Sequence, residues 1–123
     1  MERNTRQRGA IRRAFQRADR PLSPAEVLGD ARREVTGLGI ATVYRNIRAL
    51  LDEHWLATVD LPGEPSRYEL AGKAHHHHFR CQQCARVFDI PCDNATLDAG
   101  IPDGFQLTGH DILLHGRCAD CHA

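Results

Sequence analysis

Four of the five cysteines in this chain form two Cys-x-x-Cys pairs, Cys81/Cys84 and Cys118/Cys121, with 33 residues between them. Each pair can turn into one knuckle, and two knuckles brought together place four thiolates at the corners of a tetrahedron, the donor set of a closed structural zinc site. The stretch that holds them is only about 50 residues, a size at which a domain rarely buries enough apolar surface to fold without a clamp. No signal-peptide pattern precedes it, so metal ligation is preferred over disulfides. A redox reading of the pairs lacks the βαβ context it needs. Cys92 is left over and reads as a packed small side chain.

Composition shifts at Ala71-Gly72-Lys73, and a domain boundary is expected there, giving domains 1–72 and 73–123. Before it the pattern is helical. Ile11, Ala14, Phe15 and Ala18 share a stripe over about 6–18. Ser23, Pro24 and Glu26 form a capping box with proline at the first helical position, opening a helix that runs to about Glu34. A third helix spans about 40–53, with Ile40, Val43, Ile47, Leu50 and Leu51 as its buried stripe. Its other face carries Thr42, Arg45, Arg48 and Asp52, with Tyr44 at the edge, and His54 is expected at positive φ where it ends. Strands over 55–61 and 66–70 follow, joined by Pro62-Gly63-Glu64-Pro65. Three helices and a hairpin read as a winged helix-turn-helix whose third helix enters the DNA major groove. A plain helical domain with an accessory hairpin is the simpler alternative. In the second half, strands are expected at 79–80, 86–90, 105–107 and 111–114, with a short helix over 94–99. The predicted fold class is therefore α+β, a winged helix-turn-helix followed by a small α/β domain with a four-cysteine zinc site.

The formal charge is zero, yet residues 1–20 hold seven arginines against Glu2 and Asp19, whereas from Lys73 onward six aspartates face four bases. Fifteen of the sixteen basic residues are arginine, the side chain best matched to phosphate, so a polyanion is expected at the N-terminal half. No apolar stretch reaches transmembrane length, and a cytoplasmic location is the default.

Residues 75–78 are four consecutive histidines. On an extended strand alternate side chains face opposite sides, so His76 and His78 point one way and His75 and His77 the other, enough for two sites. Glu69, Asp89, His110 and His115 are the nearby candidates to complete them. A solvated histidine cluster is the alternative.

Together, GLGIATVYRNIRAL (37–50), RYEL (67–70), HHHHFRCQQCARVFDI (75–90) and HDILLHGRCADC (110–121) resemble the ferric uptake regulator family of metal-responsive bacterial repressors. The resemblance implies a homodimer with an N-terminal winged helix and a C-terminal dimerisation domain. It implies DNA contacts by Tyr44 and Arg45, to which Thr42, Arg48, Arg6 and Arg8 are added as DNA-facing candidates. It further implies structural zinc on Cys81, Cys84, Cys118 and Cys121, and a regulatory metal on Glu69, His76, His78 and Asp89. An accessory metal falls to His75, His77 and His110, with Asp98 in place of the family's glutamate, where this chain has Thr96; Asp93 is the other substitute.

Other departures are Pro21, where many members carry a further histidine ligand, and an N-terminus that leaves Arg3, Arg6 and Arg8 as a basic arm. His77 replaces the family's usual aspartate, which favours zinc over iron as the regulatory ion, although Glu69 stands where zinc regulators often use cysteine. The expected function is a metal-dependent repressor that binds operator DNA with Zn²⁺, or alternatively Fe²⁺, as co-repressor, without a small-molecule substrate or a membrane partner. A hydrolase or deaminase would need H-E-x-x-H, or H-x-E followed by P-C-x-x-C, and neither is present. A zinc ribbon that binds protein rather than DNA is the remaining alternative.

Overall fold

The computed structural model describes residues 2–92 and 100–122. The chain divides into two compact units, Met1–Gly72 and Lys73–Ala123.

The first unit contains α1 (Glu2–Ala18), α2 (Pro24–Ala31), α3 (Ile40–Asp52), β1 (Leu56–Val59) and β2 (Arg67–Leu70). Its core is the set of stripes that helical spacing puts on one side: Ala10, Ile11, Ala14 and Phe15 from α1, Val27 and Ala31 from α2, and Val43, Ile47 and Leu50 from α3. Leu22, Leu38 and Leu56, from the connections and the first strand, close it. The α2 capping box is formed: Ser23 Oγ accepts from the Glu26 backbone N–H at 3.2 Å, and Glu26 Oε1 accepts from the Ser23 N–H at 2.9 Å. Burial works to raise the Glu26 pKa, but the Ser23 N–H, Arg67 and Arg20 hold it below the usual carboxylate range. His54 ends α3 at φ 60°, as expected. β1 and β2 pair antiparallel, Leu56 opposite Leu70, and Leu22 bridges to Tyr68 on the outer side of the hairpin. The hairpin is therefore tied back to the turn between α1 and α2.

Several expectations for this unit are corrected. α2 ends at Ala31 rather than near Glu34, because Arg32–Glu34 close into turns ahead of Gly37 and Gly39. Ile40, the first residue of α3, is 42% exposed, and the buried stripe begins at Val43. Arg3, Arg6 and Arg8 lie on the opening turns of α1 and form no extended arm. Arg8 pairs with Glu53. Arg13 and Arg17 bind Glu34 and Asp30, Arg20 binds Glu26, and the Arg12 guanidinium lies over Trp55. Most of the basic excess read from residues 1–20 thus packs the helices together.

In the second unit β3 (His76–Cys81) is the central strand, antiparallel to β4 (Val87–Pro91) and parallel to β5 (Leu113–Gly116), with α4 (Ala119–His122) following. β3 begins three residues earlier than its apolar content alone predicts, because the histidines pair with β4. Gly116 lets β5 lie close to Phe79: a Cβ there would be 3.0 Å from the ring, which would have to shift to admit it. The strand expected at 105–107 is absent, and Phe105 and Leu107 are exposed at 72% and 42%. The strand expected at 111–114 is shifted to Leu113–Gly116, where it reaches register with Cys81. The helix expected over 94–99 lies outside the described residues.

Candidate metal centres and nucleic-acid interface

The four knuckle cysteines converge, with Sγ atoms all within 4.8 Å of one another. Cys84 Sγ and Cys118 Sγ are 3.8 Å apart, matching the edge of roughly 3.8 Å that a tetrahedron with Zn–S near 2.3 Å requires. The backbone N–H groups of Cys84 and Cys118 both donate to Cys81 Sγ at 3.4 Å and pull its pKa down to about 5. Arg86 donates through Nε to Cys84 Sγ at 3.1 Å, which lowers that thiol's pKa as well; its Nη2 reaches Cys118 Sγ at 3.5 Å and Asp120 at 3.0 Å. Burial and the neighbouring thiols push Cys121 up to about 12. Four thiols this close cannot all ionise without a cation among them, and the donor set fits zinc. Ala85, at φ 64°, closes the first knuckle.

Strand parity separates the histidines. On one face of β3, His78 stands directly opposite Asp89 of β4, and the ligand atoms of His76, His78 and Asp89 lie within 4.8 Å of one another. His76 Nε2 and His78 Nε2 are each 3.4 Å from Asp89 Oδ1. His76 Nδ1 is 2.8 Å from the Ala74 carbonyl and can donate its proton there, leaving the Nε2 lone pair for an ion. Lys73 also pairs with Asp89, a contact that sequence reasoning missed because the two are 16 residues apart. Glu69 stands on β2 of the first unit, paired in register with Ala57.

On the other face His75, His77 and His110 cluster, with ring centroids 4.8–4.9 Å apart. Burial, then His110 and His75, hold the His77 pKa below its ordinary value, so the ring is neutral at pH 7. Cys92 joins this group, which the sequence reading did not anticipate. The signal was parity: Cys92 is three residues beyond Asp89 and so belongs to the opposite face. Asp93, Thr96 and Asp98 lie outside the described residues. His115 is exposed on β5 and belongs to none of these clusters.

In the first unit α3 presents Tyr44, 55% exposed, with Arg45 and Arg48 also exposed and Thr42 partly so. Arg45 Nη2 donates to Thr42 Oγ1 at 2.9 Å, one helical turn back, and neither Arg45 nor Arg48 forms an ion pair among the described residues. With most α1 arginines engaged elsewhere, this helix face is where cationic side chains remain available to a phosphate backbone.

The family model for the ferric uptake regulator family matches residues 2–115. The chain belongs to the ferric uptake regulator family. Members of this family are metal-responsive, DNA-binding transcription regulators rather than enzymes, and are dimeric in their structures. The ferric uptake regulation protein of Campylobacter jejuni is 29% identical over 125 residues, spanning 96% of this chain and 78% of the relative. A solved zinc-bound manganese uptake regulator superposes with a TM-score of 0.81 at 25% identity, covering 91% of this chain and 87% of that one. FurB of M. tuberculosis, a zinc uptake regulator, is 29% identical with a TM-score of 0.53, covering 97% and 95%. No helix among the described residues is long and apolar enough to cross a membrane.

Proposed function

We propose that this ferric uptake regulator family member is a homodimeric repressor whose operator binding is switched on by zinc held by Glu69, His76, His78 and Asp89. The observation that carries the reading is the convergence of His76, His78 and Asp89 across β3 and β4, with 3.4 Å between each imidazole nitrogen and the shared carboxylate oxygen. Tetrahedral zinc with bonds of about 2.0–2.2 Å needs ligand separations of roughly 3.3–3.6 Å. Glu69 belongs to the winged-helix unit and the other three to the dimerisation unit, so an ion holding all four joins the two. Lys73 withdraws from Asp89 on its flexible stem as the cation takes its place.

With the two units joined, the α3 helices of a dimer take a fixed separation that matches half-sites on one face of the duplex. Arg45, Arg48 and Tyr44 then meet the major groove, Thr42 holds the Arg45 guanidinium, and Arg6 on α1 approaches the backbone, with Arg8 exchanging Glu53 for a phosphate. Iron is the second reading, favoured by the relatives' name, ferric uptake regulation protein.

The test is selection of duplexes from a random-sequence pool by the zinc-loaded dimer. It should enrich a palindromic site, and Arg45→Ala should weaken binding to that site by about 1–3 kcal/mol per protomer with zinc content unchanged. Failure to enrich any sequence, or an Arg45→Ala protein that binds as well as the parent, would reject the DNA-binding assignment.

A further inference from the structure

We propose that Cys92 is the fourth ligand of a second metal site, with His75, His77 and His110, on the face of β3 opposite His76 and His78. Asp98, the ligand that the resemblance implies for this site, lies outside the described residues. This inference concerns metal binding alone and does not depend on repressor function.

The backbone puts the thiol there. In the β3/β4 register His78 faces Asp89, His77 faces Ile90 and His76 faces Pro91. Continued by one residue, the same register sets His75 opposite Cys92. Alternation then directs Cys92 to the side of the sheet that His75 and His77 occupy. His110, in the segment leading to β5, completes the ring.

The distances agree with coordination. One ligand atom from each of the four residues lies within 4.8 Å of the others. His75 Nε2 and His110 Nε2 are 3.3 Å apart, the edge of roughly 3.3–3.4 Å that two imidazole nitrogens span on tetrahedral zinc. Cys92 Sγ is 3.2 Å from the same His110 Nε2. His77 is 6% exposed, and its Nε2 is buried without a hydrogen-bond partner among the described residues. Burying an imidazole nitrogen with nothing to bind is costly unless an ion satisfies it. The Ile112 N–H donates to His77 Nδ1 at 3.2 Å, so coordination through Nε2 moves the ring proton to Nδ1 and displaces that contact.

The donor set also defines the ion. Three neutral imidazoles and one thiolate leave a single positive charge on a divalent cation, and the soft sulfur favours Zn²⁺ or Co²⁺ over Mn²⁺ or Mg²⁺, which prefer oxygen. The site thus differs in kind from the Glu69/His76/His78/Asp89 set, which contains no thiol.

That difference provides the test. The full-length protein with zinc in its four-cysteine site is titrated with Co²⁺ while absorption and zinc content are followed together. The parent should develop a near-ultraviolet thiolate-to-cobalt charge-transfer band with no loss of zinc. Cys92→Ser should lose that band and bind Co²⁺ at this site at least about tenfold more weakly, and His77→Ala should weaken it similarly. A band equally strong in Cys92→Ser, or cobalt bound by the parent without one, or no cobalt bound at all, would overturn the assignment. No DNA enters the measurement, so its failure leaves the operator-binding reading untouched.

Discussion

Cys81→Ser is expected to release the structural zinc and unfold the C-terminal unit while the winged helix stays folded. Among the described residues the buried apolar side chains of the C-terminal unit are Cys81, Val87 and Cys118, two of them members of the four-cysteine cluster. The N-terminal unit buries a continuous cluster from Ala10 to Leu56. A sheet with so little core relies on its metal, and zinc binding in such a domain is folding free energy. Serine matches the cysteine in size but does not ionise, so the two backbone N–H groups aimed at Cys81 Sγ lose their anion. Zinc affinity should fall by more than about 100-fold, beyond the 10–100-fold typical for loss of an outer-shell partner. Metal analysis reports the first effect. Amide hydrogen exchange reports the second, with protection lost across β3, β4 and β5 and kept in α1 and α3. Stoichiometric zinc in the variant, or β3 protection like the parent's, would contradict the account.

Acid should act in the same direction, because protons compete with zinc for the thiolates. A thiol whose folded pKa is depressed stabilises the fold above its ordinary value and loses that contribution as pH falls through the folded one. For Cys81 that means from about 9 down to about 5.

The second large effect is expected from the double variant His76→Ala/His78→Ala. It removes two of the three donors that converge on β3 and β4, and leaves the knuckles, α3 and the opposite face intact. Dimerisation and four-cysteine zinc should be retained. The metal-dependent gain in operator affinity, about 5–150-fold for couplings of this kind, should disappear. Gel-shift titration of the selected duplex across buffered zinc concentrations measures it. A variant that still gains affinity with added zinc would place the sensing ligands elsewhere.

How far the residues alone lead depends on how local the determining physics is. The α2 cap, the helix end at His54 and the separation of the histidines by strand parity follow from neighbours a few residues apart, and each is present in the fold. The shifted β5 and the missing strand at 105–107 depend on which segment finds register with β3, a long-range choice that pattern cannot decide. The N-terminal arginines misled for a related reason. Their partners Glu34, Asp30 and Glu53 are distant in sequence, so charge that looked available for phosphate is neutralised within the unit. Cys92 was within reach of parity reasoning, but it has no Cys-x-x-Cys partner and so looked like a packing residue.

If metal and operator DNA favour the same conformation, each must tighten the binding of the other by the same factor. Zinc affinity at the Glu69/His76/His78/Asp89 set should be determined by competition with a chelator, with and without saturating operator duplex, in parallel with Fe²⁺ and Mn²⁺. DNA should tighten zinc binding by the same factor by which zinc tightens DNA binding, and zinc should act at lower free concentration than iron. Equal zinc affinity with and without the duplex would contradict it.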